Sequence, residues 1–79
     1  MKLLYAEDER SLSEAVGDIL TYHKYIVDAV YDGEDAYAYA LSGNYDGVIL
    51  DVMMPGRDGI DVLSALRKNG YKAPILLLT

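Results

Sequence analysis

Two short apolar runs in this 79-residue chain end abruptly on carboxylates. Leu3-Leu4-Tyr5-Ala6 passes into Glu7-Asp8-Glu9, and Val48-Ile49-Leu50 passes into Asp51, with Pro55-Gly56 and Asp58-Gly59 close behind. Uninterrupted apolar runs suit strands buried on both faces of a parallel sheet, and proline and glycine forbid continuing them. Asp51 thus stands at a strand's carboxyl end, the edge at which open α/β sheets bind ligands. An Asp there also serves as an ordinary turn former or helix cap, so its chemistry depends on its neighbours. With Glu7 and Asp8 beside it, three carboxylates would repel unless a proton or a cation sits among them. Such hard oxygen donors favour magnesium over zinc or copper, and the backbone carbonyl of Met53 is placed to add another oxygen. With phosphate oxygens drawn in and neutralised, the Asp51 carboxylate could attack phosphorus in line and form an acyl phosphate. Thr79 ends the last apolar run, where its hydroxyl could donate to a phosphoryl oxygen or simply close a strand.

Positioning these groups requires a particular order of elements. The first strand, ending at Ala6, is followed by a capping-box pattern, Ser11-Leu12-Ser13-Glu14, which predicts a helix starting at Ser11. Leu12, Ala15, Val16, Ile19 and Leu20 recur at helical spacing and form the expected sheet-facing stripe. His23, the only histidine, lies in a connector beside Lys24 with no second histidine at ligand spacing, which argues for a solvated residue. Tyr25 to Val30 reads as an edge strand with Asp28 on a wet side. Asp32-Gly33 ends it and caps a helix from Glu34 to Leu41, whose Ala36, Ala38 and Ala40 allow close approach to a sheet. After Asp51, Asp58 caps a third helix with Ile60, Val62, Leu63, Ala65 and Leu66 on its apolar side, running to Asn69-Gly70. Ile75 to Leu78 supplies a fourth strand. Strands and helices alternate throughout, which implies right-handed crossovers and a parallel sheet.

Composition bounds the function. The chain fits one small domain, and 52% hydrophobic with 25% charged residues is ordinary for a globular protein. A net charge of −6 argues against direct contact with nucleic acid or an anionic membrane and suits cation binding. No apolar run is long enough to span a bilayer, and the lack of cysteine fits a reducing compartment, so a cytoplasmic protein is expected. All eight aromatic residues are tyrosines, so each buried ring should find a partner for its hydroxyl.

The chain resembles the receiver domain of bacterial two-component response regulators. The resemblance rests on Glu7-Asp8, Asp32-Gly33, Asp51, Met54-Pro55, Asp58-Gly59 and Thr79 at their mutual separations, and covers residues 1–79. It implies a flavodoxin-like α/β fold with parallel strand order 2-1-3-4 in this segment, and Asp51 as phosphoacceptor from a sensor histidine kinase. It further implies Mg2+ held by Asp8, Asp51 and the Met53 carbonyl, with Glu7 acting through a water, and Thr79 as the switch hydroxyl. The wording Met53-Met54-Pro55-Gly56 is most similar to receivers joined to winged-helix DNA-binding domains. Similar sequences continue through a fourth helix, a fifth strand bearing a lysine at its end, and a fifth helix. Lys2, Lys24, Lys68 and Lys72 fall at strand starts, loops or helix ends away from the carboxylate rim. Lys24 also stands where the family often has glycine.

Two other readings compete. A phosphatase of the haloacid dehalogenase type would need a second Asp two residues after the nucleophile, and Met53 occupies that place. A half-domain that self-associates is the other, since an apolar fourth strand left at a sheet edge recruits further chains. That reading predicts a homodimer through the fourth-strand edge.

Overall fold

The alternation of apolar runs and helical stripes resolves into seven elements in a computed structural model that describes residues 1–79. They are β1 (Lys2–Ala6), α1 (Arg10–Tyr22), β2 (Ile26–Val30), α2 (Gly33–Ser42), β3 (Gly47–Asp51), α3 (Gly59–Lys68) and β4 (Ile75–Leu78). The strands form one parallel sheet in the order β2-β1-β3-β4, the flavodoxin-like arrangement. From β1 the chain steps outward to β2, then crosses back to β3 and on to β4. Right-handed crossovers place α1 on one face of such a sheet and α2 and α3 on the other.

Register fixes which side chains share a face. Leu4 lies opposite Asp28 and Val48, and Ala6 opposite Val30 and Leu50. Leu4, Ala6, Val48 and Leu50 are essentially inaccessible and meet Ala36 and Ala40 of α2 and Val62 and Leu66 of α3. Each leucine so buried contributes about 1.5–3 kcal/mol, which makes this face the stable half of the molecule. The small Ala36 and Ala40 let α2 sit close, as their spacing suggests, whereas Ala38 points to solvent.

The other face departs from the sequence reading. Helix α1 begins at Arg10, and its cap is Glu9, whose carboxylate accepts from the backbone N–H groups of Ser11 and Leu12 at 3.0 Å each. The Ser11–Glu14 capping box therefore does not form: the helix already starts at Arg10, which puts Ser11 inside its first turn, and Glu9 accepts from the Ser11 amide that Glu14 would serve. The buried stripe is also rotated. Ser13, Val16, Gly17 and Leu20 turn inward, while Leu12 and Ile19 are 47% and 59% exposed. Ser13 is the one fully buried residue of the helix, and the apolar arc extends beyond the surface available to cover it. Leu76 and Leu78 of the edge strand β4 are likewise accessible.

Helices α2 and α3 are capped as expected, by Asp32 Oδ1 accepting from Asp35 N and Asp58 Oδ1 from Asp61 N, both at 2.8 Å. Not every buried tyrosine is satisfied. Tyr45 Oη donates to Asp28 at 2.6 Å, but the buried hydroxyls of Tyr5 and Tyr71 have no partner, contrary to the expectation from composition.

Candidate functional site

β1 and β3 are neighbours, and the chain leaves them in opposite directions, so the gap between their carboxyl ends is the sheet's topological switch point. Glu7, Asp8 and Asp51 converge there, each offering a carboxylate oxygen within 4.8 Å of the others. The β-ladder holds the first of them in place, since Glu7 N donates to Val30 O at 3.1 Å. Asp51 is the last residue of β3, paired across to Leu78 of β4.

The environments of the three differ. Glu7 is buried at 5% exposure, Asp51 is half-buried and Asp8 is exposed. Burial pushes the Glu7 carboxyl above the ordinary glutamate range, the Glu9 backbone amide opposes this, and the charge of Asp51 with hydrogen bonding to Asp51 and Asp8 raises it further. Glu9 N donates to Glu7 Oε2 at 3.1 Å and Met53 N to Asp51 Oδ1 at 3.3 Å. The acidic rim is thus tied to the backbone on both sides.

A cleft of about 710 Å³ opens beside this cluster, with Asp8, Glu9, Asp51, Met53, Met54 and Asp58 among its walls. Met53 lines the cleft and is 77% exposed. Thr79 follows Leu78 at the same rim but is exposed and outside the cleft lining. Lys2 lies at the far end of β1.

Packing behind Asp51 depends on glycine. Gly59 N donates to Val52 O at 2.9 Å, and a Cβ at Gly59 would stand 2.5 Å from the Asp51 carbonyl oxygen. The start of α3 can therefore close directly on the end of β3. Gly33 plays the matching part for α2, since a Cβ there would collide with the Arg57 backbone. The family motifs Asp32-Gly33 and Asp58-Gly59 thus each combine a helix cap with a close backbone contact. Sequence reasoning passed over Glu9, which both caps α1 and lines the cleft, and Tyr5, whose buried hydroxyl lies on the Glu7 side of the sheet. A carboxylate directly before the first helix signals the former.

Comparison with known proteins agrees with this geometry. The sequence profile described as the response regulator receiver domain matches residues 3–79. The transcriptional regulatory protein DltR of Streptococcus agalactiae is 46% identical over all 79 residues, which make up 35% of its length. The transcriptional regulatory protein CusR of Escherichia coli is 42% identical over the same span, again 35% of that protein. Among solved structures, response regulator TrrA from Thermotoga maritima in complex with Mg(2+)-BeF superposes with a TM-score of 0.94 at 40% identity, covering 99% of this chain and 68% of that one. TrrA in complex with the histidine kinase ThkA is similar, with a TM-score of 0.91 at 40% identity, covering 99% of this chain and 67% of that one. The chain therefore spans about a third of the length of these curated relatives. No helix is long and apolar enough to cross a membrane. With the profile matched over nearly its whole length, the chain belongs to the response regulator receiver domain family.

Proposed function

We propose that this chain is a signalling phosphoacceptor in which Asp51 takes a phosphoryl group from a sensor histidine kinase in a magnesium-dependent reaction. The observation that carries the proposal is the convergence of Glu7, Asp8 and Asp51 oxygens within 4.8 Å at the switch point. Three hard oxygen donors on one rim, one of them buried and raised by its charged neighbours, fit a small divalent cation. Asp8, Asp51 and the Met53 carbonyl would hold Mg2+, with Glu7 acting through a water. The cation supplies charge neutralisation for the incoming phosphoryl oxygens.

The rest is done by the chain's own groups. Met53 N orients the Asp51 carboxylate by donating to Oδ1. An Asp51 oxygen forms a bond to phosphorus as the bond from phosphorus to the donor's imidazole nitrogen breaks, the nitrogen keeping the electron pair and taking up a proton. The product is an acyl phosphate. Thr79 would then move from its exposed position toward the phosphoryl group as the switch hydroxyl, relaying the change through β4. The fold and the names of the relatives support a role in transcription control, with DNA contacted by an output domain outside these residues rather than by this segment, whose net charge is −6. The reaction is self-modification in a cytoplasmic signalling protein, with no turnover of small substrates.

Intact mass of the chain after incubation with acetyl phosphate and Mg2+ tests the proposal. One phosphoryl adduct is expected, absent from Asp51→Asn and from a metal-free control; an adduct of equal yield in the variant contradicts it.

A second reading is favoured by the exposure of Leu76 and Leu78 on the unpaired edge of β4. We propose that the 79-residue chain by itself self-associates there as a homodimer. A monodisperse monomer at micromolar concentration in sedimentation removes that reading.

A further inference from the structure

Tyr5 carries a hydroxyl that nothing in the fold accounts for. The residue is fully buried next to the carboxyl end of β1, and its Oη has no hydrogen-bond partner. A purely structural position there would be served by an aliphatic residue, as at the neighbouring Leu3 and Leu4, with no buried donor to satisfy.

Its placement connects it to the acidic rim. Alternate residues of a strand share a face, so Tyr5 and Glu7 lie on the same side of β1. Tyr5 stands opposite Ile49 of β3, two residues before Asp51, so Asp51 belongs to that side too. The electrostatics agree: after burial, the charges of Glu7 and then Asp51 are what push the Tyr5 phenol upward. Above it, Glu7 is nearly inaccessible, has carboxylate oxygens of Asp8 and Asp51 within 4.8 Å, and accepts from the single backbone amide of Glu9. Glu7 is thus a buried acidic side chain with one backbone donor. A buried carboxylate requires further donors, and Tyr5 is an unused donor on the same face.

We infer that Tyr5 is a positioning residue whose hydroxyl donates to the Glu7 carboxylate in the cation-loaded state and so orders the Mg2+ site from beneath. This rests on the magnesium-dependent reading given above. The other unpartnered tyrosine, Tyr71, follows α3 and is held near Arg67 rather than near the rim, which makes it an internal control.

The test uses the 79-residue chain labelled with 13C at the tyrosine ζ position, titrated with MgCl2 and followed by NMR, beside calorimetry of Mg2+ binding to wild type, Tyr5→Phe, Glu7→Gln and the double variant. Phe keeps the ring and removes only the hydroxyl. The Tyr5 resonance should shift on adding Mg2+ while those of Tyr45 and Tyr71 stay. Tyr5→Phe should weaken Mg2+ binding about tenfold, of the order expected for one hydrogen bond to a charged group. In the Glu7→Gln background the Tyr5 substitution should have little further effect, a non-additivity that loss of packing would not produce. If wild type binds Mg2+ and Tyr5→Phe binds it equally, or if the two substitutions are additive, the inference alone is overturned. If wild type binds no Mg2+, the magnesium-dependent reading falls and this inference with it.

Discussion

On the edge strand β2, Asp28 accepts a 2.6 Å hydrogen bond from Tyr45 and lies 4.0 Å from Lys2 Nζ, so its charge is met by a hydroxyl and a cation reaching in from the amino-terminal end of the sheet. At the carboxyl end three carboxylates face one another within 4.8 Å, and burial with the neighbouring charge of Asp51 raises the Glu7 carboxyl above the ordinary range. Both regions place acids on a parallel sheet, but only the first is internally balanced. The contrast separates a carboxylate that serves the fold from carboxylates held for an incoming cation. The helix ends extend it. At the amino-terminal rim, α1 and α3 finish with the same pattern: Tyr25 N donates to Leu20 O and Lys24 N to Thr21 O, as Tyr71 N does to Leu66 O and Gly70 N to Arg67 O. The left-handed residue is Gly70 with φ 77° in one and Lys24 with φ 75° in the other.

The contrast can be broken most strongly at Gly59. Gly59→Ala puts a methyl against the Asp51 carbonyl and should force α3 off the end of β3, costing about 1–3 kcal/mol in a denaturant titration and lowering phosphoryl-adduct yield together. An unchanged midpoint would mean that α3 does not close on Asp51 as described.

The raised Glu7 carboxyl offers a finer test. Its folded-state value is raised above the ordinary 4.5, so the folded chain keeps the Glu7 proton at pH values where the unfolded chain has released it. Its contribution to stability is full below that ordinary value and is lost as pH rises through the raised one. The stability difference between wild type and Glu7→Gln, measured without metal, should therefore decline across that window. Saturating Mg2+ should restore it, because the cation then supplies the compensation the proton gave. A flat difference would place Glu7 outside the repelling cluster.

The smallest effect is expected at the opposite rim. Lys24→Gly relieves a left-handed backbone that L side chains disfavour, at the cost of a more flexible unfolded chain, and should stabilise by up to about 1 kcal/mol without altering phosphorylation. A loss of stability would show that the Lys24 side chain contributes more than its conformation costs.

These differences also explain what could be read in advance. The strands at 2–6, 47–51 and 75–78 were legible because continuous apolar runs leave few alternatives, and Asp32 and Asp58 announced their helices by direct capping chemistry. The acidic cluster was legible only on the condition that β1 and β3 are neighbours, an order that the resemblance to receiver domains implied and alternation of strands and helices does not fix. Helix α1 was less legible. Its apolar arc from Leu12 to Leu20 is wider than the surface it covers, and its one fully buried residue is Ser13, which carries no hydrophobic signal. Tyr5 was hidden for a related reason: in a strand pattern a tyrosine counts as apolar, and the fate of its hydroxyl appears only once burial and partners are known.

Chemical trapping of the modified residue tests the central claim most directly. The chain is phosphorylated with acetyl phosphate and Mg2+, treated with borohydride, which reduces an acyl phosphate to the alcohol, and mapped by peptide mass spectrometry. The account predicts homoserine at position 51 alone, dependent on Mg2+. Reduction at Asp8 or Glu7, or a metal-independent adduct elsewhere, would contradict it.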